Sequence, residues 1–332
     1  MIESLKEKFG KLKKTSFYQL LTRFTILIIL FLIFALTTNN FIKPSNLLTI
    51  TLQVALYAVL ACGMTFVLIV GAIDLSVGSI AGLSGIVCAI LLRDFGMTIP
   101  LTLLISIIVG AISGLINGAL TTYLKLPPFI ATLGTMWMYR GVVQLLADGQ
   151  PVTIRNPEHP EVGEFFKLLG SGRIWGSIPI AFIIMIVLAI ILNIILNKTV
   201  LGRNMFATGS NTEAARLSGI NVRRTTIYGF IIGGIMAGIA GILITGRLSS
   251  GQVNAGQGYE LEAVAACVIG RVSLLGGEGS IIGALIGAFM MGILRNGLNL
   301  NGVGSFWQQI VIGIVLIIAV FSDLYQRKRI NE

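Results

Sequence analysis

Residues 101–124 read LTLLISIIVGAISGLINGALTTYL, without one charged side chain. Spanning a hydrocarbon layer of about 30 Å takes ~20 apolar residues in a helix rising 1.5 Å per residue, so this stretch is long enough to cross a membrane. Ile178 to Leu196 has the same character. Both runs are apolar on every face and rich in Ile, Leu, Gly and Ala. A barrel strand would be an alternating segment of about ten residues, so these are helices.

Working outward, 55% of the 332 residues are hydrophobic and only 11% are charged, less than half the roughly 25% of a soluble domain. An all-α, polytopic transmembrane bundle is expected, with about ten spans near 20–38, 46–70, 76–92, 100–123, 129–147, 178–197, 226–246, 259–271, 280–296 and 306–322. The eighth is too short to cross unaided and the second is long, so broken or re-entrant segments are expected in both neighbourhoods. The whole of 1–332 reads as one transmembrane domain.

The net charge of +10 is gathered between apolar runs rather than on a soluble module with interleaved aromatics, which speaks for topology and against nucleic acid. The basic stretch Lys6–Lys14 followed by apolar Thr25–Leu36 superficially has the form of a secretory signal. Its basic part is long and no small-x-small pattern closes it, so an uncleaved first span is expected. With a cytoplasmic N-terminus, the inside segments hold sixteen Lys and Arg and the outside segments seven, Lys43, Arg93, Arg155, Lys167, Arg173, Arg247 and Arg295, while Arg140 falls within a span. The positive-inside rule then puts both termini in the cytoplasm. The segment 1–19 is a basic cytoplasmic arm, 148–177 an extracytoplasmic loop, 198–225 a cytoplasmic loop and 323–332 a cytoplasmic tail.

Little in the chain offers chemistry of its own. Cys62, Cys88 and Cys267 lie in apolar runs without a CxxC pair or a neighbouring His, as packing residues do. His159, in a loop punctuated by Pro151, Pro157 and Pro160, has no ligand cluster around it. Gly276-Gly277-Glu278-Gly279 follows no strand and lacks the Lys-Ser/Thr pair of a phosphate loop. No metal or cofactor is expected on this chain, and a single His leaves no acid–base constellation. The glycines read as packing surface, above all Gly110-Ala111-Gly114-Gly118 and Gly229-Gly233-Ala237-Gly241, with a minority as hinges. Gly78-Ser79-Ile80-Ala81-Gly82 recurs as Gly279-Ser280-Ile281-Ile282-Gly283, a hint of an internal repeat.

Polar residues within spans are costly in lipid unless they face a partner or a water-filled path. Gln53, Asn117, Thr132, Thr135, Arg140 and Gln144 qualify, and Asp74 with Ser76 stands at the start of the third span. Asp74 either caps that span or belongs to a gate. Arg140 either pairs with a carboxylate or carbonyl or snorkels outward. Within 198–225, Ser210 or Asn211 can cap a short helix, Glu213 complements its positive end and Gly219 ends it. Such a helix needs a partner or the membrane surface to be stable.

The stretch 207–220, ATGSNTEAARLSGI, is similar to the cytoplasmic coupling segment of monosaccharide ABC permeases of the ribose, xylose and galactoside type. Gly71-Ala72-Ile73-Asp74-Leu75-Ser76-Val77-Gly78, Thr132-Leu133-Gly134-Thr135-Met136 and Gly258-Tyr259-Glu260-Leu261-Glu262-Ala263 extend that resemblance over nearly the whole chain. It implies a permease of the bacterial plasma (inner) membrane that pairs with a second copy of itself. It also implies docking on an ATP-binding cassette ATPase, which holds ATP and Mg, through Asn211, Thr212, Glu213, Ala214, Ala215, Arg216, Leu217, Ser218 and Gly219. Sugar would arrive from an extracytoplasmic sugar-binding protein that carries most of the selectivity. Branched-chain amino-acid and nucleoside permeases share the architecture, but the Asp74–Gly78 string favours monosaccharides, and ribose is the expected sugar. Asp74, Ser76, Asn117, Thr132, Thr135, Arg140 and Gln144 are then candidates for the translocation path or gate. Arg271 departs from the family, which usually has a small residue there, and its place in an inner turn suits contact with lipid headgroups or the ATPase. An ion-coupled secondary transporter is the alternative. It would need a carboxylate near the midplane, whereas Asp74, Glu260 and Glu262 fall near span ends.

Overall fold

The computed structural model describes residues 16–154 and 160–331. The basic stretch Lys6–Lys14 and Arg155, Pro157 and His159 lie outside them. Among the described residues the chain forms thirteen helices: α1 Ser16–Thr37, α2 Pro44–Ile69, α3 Val77–Arg93, α4 Ile99–Thr122, α5 Pro128–Leu146, α6 Pro160–Ser171, α7 Ile180–Lys198, α8 Val200–Ser210, α9 Thr212–Leu217, α10 Val222–Leu248, α11 Tyr259–Ile269, α12 Ile281–Leu300 and α13 Ser305–Asn331. Every expected span coincides with a helix. Five of them, α2, α4, α7, α10 and α12, are long and apolar enough to cross a membrane by themselves. Two ribbons complete the fold, β1 Val152–Thr153 antiparallel to β4 Ser250–Gly251, and β2 Arg173–Ile174 antiparallel to β3 Ile178–Pro179.

One expectation needs correction. The second span is not broken: α2 runs from Pro44 to Ile69 without interruption. At 1.5 Å per residue its 26 residues are about 39 Å long, more than the roughly 30 Å hydrocarbon layer requires. The segment 148–177 is partly folded, because β1 pairs with β4 and α6 packs against α10, with Phe166 fully buried. At the other end of the chain α13 continues to Asn331, so residues 323–331 are helical. The eighth span, by contrast, is as short as its sequence suggests. It is α11, whose eleven residues rise only ~16 Å and which is buried along Ala263–Val268.

Local signals explain where the helices begin. Pro44 and Pro128 open α2 and α5 at positions where no helical amide partner is lost. Side chains of Thr199, Asn211, Asn221 and Ser280 cap α8, α9, α10 and α12 by accepting from the amides of Gly202, Ala214, Arg224 and Gly283.

α10 is the axis of the bundle, flanked by α2, α3, α4 and α6, while α11 and α12 pack on the other side of α2. α1 lies against α12 and α13 against α11 and α12. Its neighbours approach α10 through glycine. A Cβ on Gly234 would strike the carbonyl oxygen of Gly110, one on Gly114 that of Phe230, one on Gly241 that of Ala81, and one on Gly246 that of Phe166. The two glycine runs singled out in the sequence therefore do not meet as one seam. Gly110, Gly114 and Gly118 meet Gly234, Gly238, Phe230 and Ile227, whereas Gly229 and Gly233 face Phe66 and Val67 of α2.

Cys62, Cys88 and Cys267 are all buried, and Cys267 donates to the carbonyl of Ala61 at 3.2 Å, a packing role as expected. Gly234→Val should drive α4 off α10 and lower the thermal stability of the detergent-solubilised protein by at least the ~1–3 kcal/mol of ordinary overpacking. Gly141→Ala, at an exposed position with open space around it, should leave the melting temperature unchanged.

Candidate functional site

The turn between α2 and α3 carries Asp74, and the fold encloses it completely. Its carboxylate accepts from the Ser76 amide at 2.8 Å and the Ser76 hydroxyl at 2.6 Å. From α4, the Asn117 amide reaches both Asp74 oxygens at 3.2 and 3.3 Å and donates to the Ser76 hydroxyl at 2.7 Å. From α5, the Thr132 hydroxyl accepts from the Leu75 amide at 3.1 Å and donates to carbonyls, Pro128 at 2.9 Å and Ile73 at 3.2 Å. Thr135, one turn on, is buried and donates to the Thr132 carbonyl at 3.2 Å. The carboxylate thus ties the turn to α4, and the backbone on either side of it ties the same turn to α5. Asp74 closes a two-residue turn onto Ser76, which precedes α3, so it shapes the approach to that helix rather than capping its first free amides.

The other two candidates sit elsewhere. Arg140 resolves as carbonyl-paired rather than snorkelling: its Nη1 donates to Ala255 O at 2.6 Å and lies near Val253 O at 3.4 Å. It binds the loop before α11 to α5, beside Gly82 of α3, where a side chain would intrude on the guanidinium. Gln144 lies on the exposed face of α5 and joins neither group.

The short helix expected within 198–225 is present as α9, capped by Asn211 and not by Ser210, which ends α8. Gly219 follows at φ +82°, the left-handed conformation expected of its stop. Thr212, Glu213, Ala214, Arg216, Leu217 and Ser218 are exposed, and Glu213 pairs with Arg216 on the surface. Ala215 is buried and seats the helix. The elbow between α8 and α9 rests on bare backbone. The Gly277 amide donates to Ile69 O at 2.9 Å at the end of α2, and Gly209 presses between them, leaving no room for a Cβ. Gly276 closes the same junction against Gly71 and Gly209. The Gly276–Gly279 cluster therefore serves close packing. Arg271, in the turn after α11, takes a left-handed φ of +58°, a conformation that a small residue meets more easily.

Sequence reasoning missed one ionic group. Glu262, buried in the first turn of α11, pairs with Arg295 of α12, whose Nη1 also donates to the Tyr57 hydroxyl of α2 at 2.7 Å. The charge pattern of the sequence groups Arg295 with the outside segments, yet it lies inside α12. Two opposite charges in separate apolar runs were the available signal, since each would be costly without the other.

Asp74→Ala should leave the Ser76 amide and the Asn117 side chain short of an acceptor and cost about 1–3 kcal/mol for each group stranded. Asp74→Asn, which keeps an acceptor oxygen, should recover part of that loss. Thermal melting of the purified variants measures both.

Residues 46–320 match the family model described as the permease component of the branched-chain amino acid transport system. The chain is 44% identical to the ribose import permease protein RbsC of Bacillus subtilis, over 92% of each chain. It is 40% identical to the Escherichia coli K12 ribose import permease protein RbsC, over 90% of this chain and 91% of the relative. Against the E. coli K12 xylose transport system permease protein XylH it is 34% identical, over 94% of this chain and 93% of the relative. No solved structure matches significantly. With its apolar crossing helices and these relatives, the chain belongs to this family of ABC importer permeases, among the monosaccharide permeases, as a multi-pass protein of the bacterial plasma membrane.

Proposed function

We propose that the chain is the membrane-spanning subunit of an ATP-driven importer for a monosaccharide, ribose in the first place, working as a pair of copies with ATP and Mg held by a separate ATPase. The relatives named for ribose import and the extent of the match support the substrate. The observation that carries the coupling role is α9: an exposed, capped helix seated by Ala215 and braced on the backbone of α2 through Gly209 and Gly277. A partner pressing on Thr212–Ser218 would bear on the end of α2, and so on the turn that holds Asp74.

In this reading 198–225 is the cytoplasmic coupling loop, Asn211–Gly219 meet the ATPase, and both termini are cytoplasmic. The extracytoplasmic segment 148–177 faces the sugar-binding protein. Asp74, Ser76, Asn117, Thr132 and Thr135, buried and bonded to one another and to nearby backbone, then act as a gate at the inner end of the translocation path, near the cytoplasmic ends of α2 and α4, and Arg140 fixes the loop before α11.

Two measurements test this. Vesicles carrying the chain with its ATPase and binding protein should take up labelled ribose on ATP addition. Replacing both Glu213 and Arg216 by Ala should abolish that uptake with the chain still in the membrane. Uptake driven by an ion gradient alone would instead establish a secondary transporter. For topology, the native thiols are sealed, so single introduced cysteines report cleanly. In intact cells Lys167→Cys should react with an impermeant maleimide and Leu217→Cys should react only after the membrane is opened.

A further inference from the structure

Between α2 and α10, the two long apolar helices most deeply buried in the bundle, and the first turn of α11 lies a space of about 330 Å³. Small-molecule pockets run from about 300 to 1,000 Å³, so this one has room for a single small solute. Its polar lining comes from four helices: Gln53 and Tyr57 on α2, Arg247 on α10, Tyr259 on α11 and Arg295 on α12, over an apolar floor that includes Ile244.

The lining is partly locked and partly uncommitted. Tyr57 and Tyr259 meet edge to face, with ring centroids 4.9 Å apart. Arg295 stands 5.9 Å from the Tyr57 ring centroid and is held by the Tyr57 hydroxyl and by Glu262, which balances its charge. By contrast, the Gln53 amide, the Tyr259 hydroxyl and the Arg247 guanidinium form no side-chain hydrogen bond with the described residues, and neither do Nε and Nη2 of Arg295. These polar groups converge on a space open to the outside without satisfying one another, so they are available to water or a solute.

The pattern also selects a class of solute. Gln53 and Tyr259 each offer a donor and an acceptor, as a hydroxyl requires of its partner, and the guanidinium groups add donors in a planar fork. The tyrosine rings present apolar surface for a C–H face. Glu262 behind Arg295 opposes an anion, leaving Arg247 at the rim as the one unbalanced charge among these groups.

We propose that this space is a monosaccharide subsite of the permease itself, in which Gln53, Arg247, Tyr259 and Arg295 take the hydroxyls of a neutral sugar and the tyrosine pair its C–H face. The assignment rests on the import reading above. It goes further in giving the membrane domain its own weak selectivity, instead of leaving recognition to the extracytoplasmic protein.

Saturation-transfer NMR on the chain in lipid nanodiscs, with ribose, xylose and ribose 5-phosphate as probes, tests it directly. Ribose and xylose should show transfer, reduced at least five-fold in Gln53→Leu and in Tyr259→Ala, while both variants keep the wild-type melting temperature. Tyr57→Phe, which keeps the ring, should lose less. Ribose transfer unchanged in Gln53→Leu and Tyr259→Ala, no transfer to the wild type, or stronger transfer to the phosphate would each overturn the proposal. Should a variant melt early, ribose protection of Cys substituted at Leu248 on the rim, in an otherwise wild-type cavity, decides in its place: protection supports the site and its absence overturns it. Uptake by the complete transporter is scored separately. Failure of wild-type uptake with variant-sensitive transfer intact would count against the import reading and not against the subsite.

Discussion

Along α10, Gly234, Gly241 and Gly246 put helix backbone directly against carbonyl oxygens of α4, α3 and α6. Lipid tails are as apolar as leucine, so helices in a bilayer gain little by hiding apolar surface from them. Close van der Waals approach must do the work instead, and only small residues allow it. Everything else hangs on this contact. It fixes α3 and α4 near enough for Asn117 to reach Asp74, and it holds α10 beside α2 with a polar space left between their ends.

That framework explains how a chain poor in charge accommodates the few it buries. Asp74 is surrounded by donors from its own turn and from α4. Arg140 ends on carbonyls of the loop before α11, and Glu262 meets Arg295. Each buried charge joins elements distant in sequence. Replacing one partner would strand the other, so these groups specify which helices are neighbours even where their net contribution to stability is small.

The helices were legible because lipid forces the sequence to advertise them: apolar length, capping residues and prolines mark α2, α4, α5, α7, α9 and α10 with errors of a few residues. The glycine runs were legible as packing, but not which helix each would face. Which polar residues converge was hidden, because it depends on rotation about helix axes. Asp74, Ser76, Asn117 and Thr132 come together, while Gln144, on the same helix as Thr132, turns outward. Folding of the segment 148–177 was missed for a different reason. The strand β1 has only two residues, and its partner Ser250–Gly251 lies about a hundred residues on. No local pattern encodes such a pairing.

The junction of Gly209, Ile69 and Gly276–Gly277 has a mechanical meaning. Side chains hop between rotamers and so act as cushions, whereas hydrogen-bonded main chain in direct contact has almost no compliance. A lever bearing on such a fulcrum works without backlash. Its stroke can be short, because little displacement is lost before it arrives. By the same token it cannot be softened by degrees: any side chain introduced at the fulcrum would prise the parts asunder.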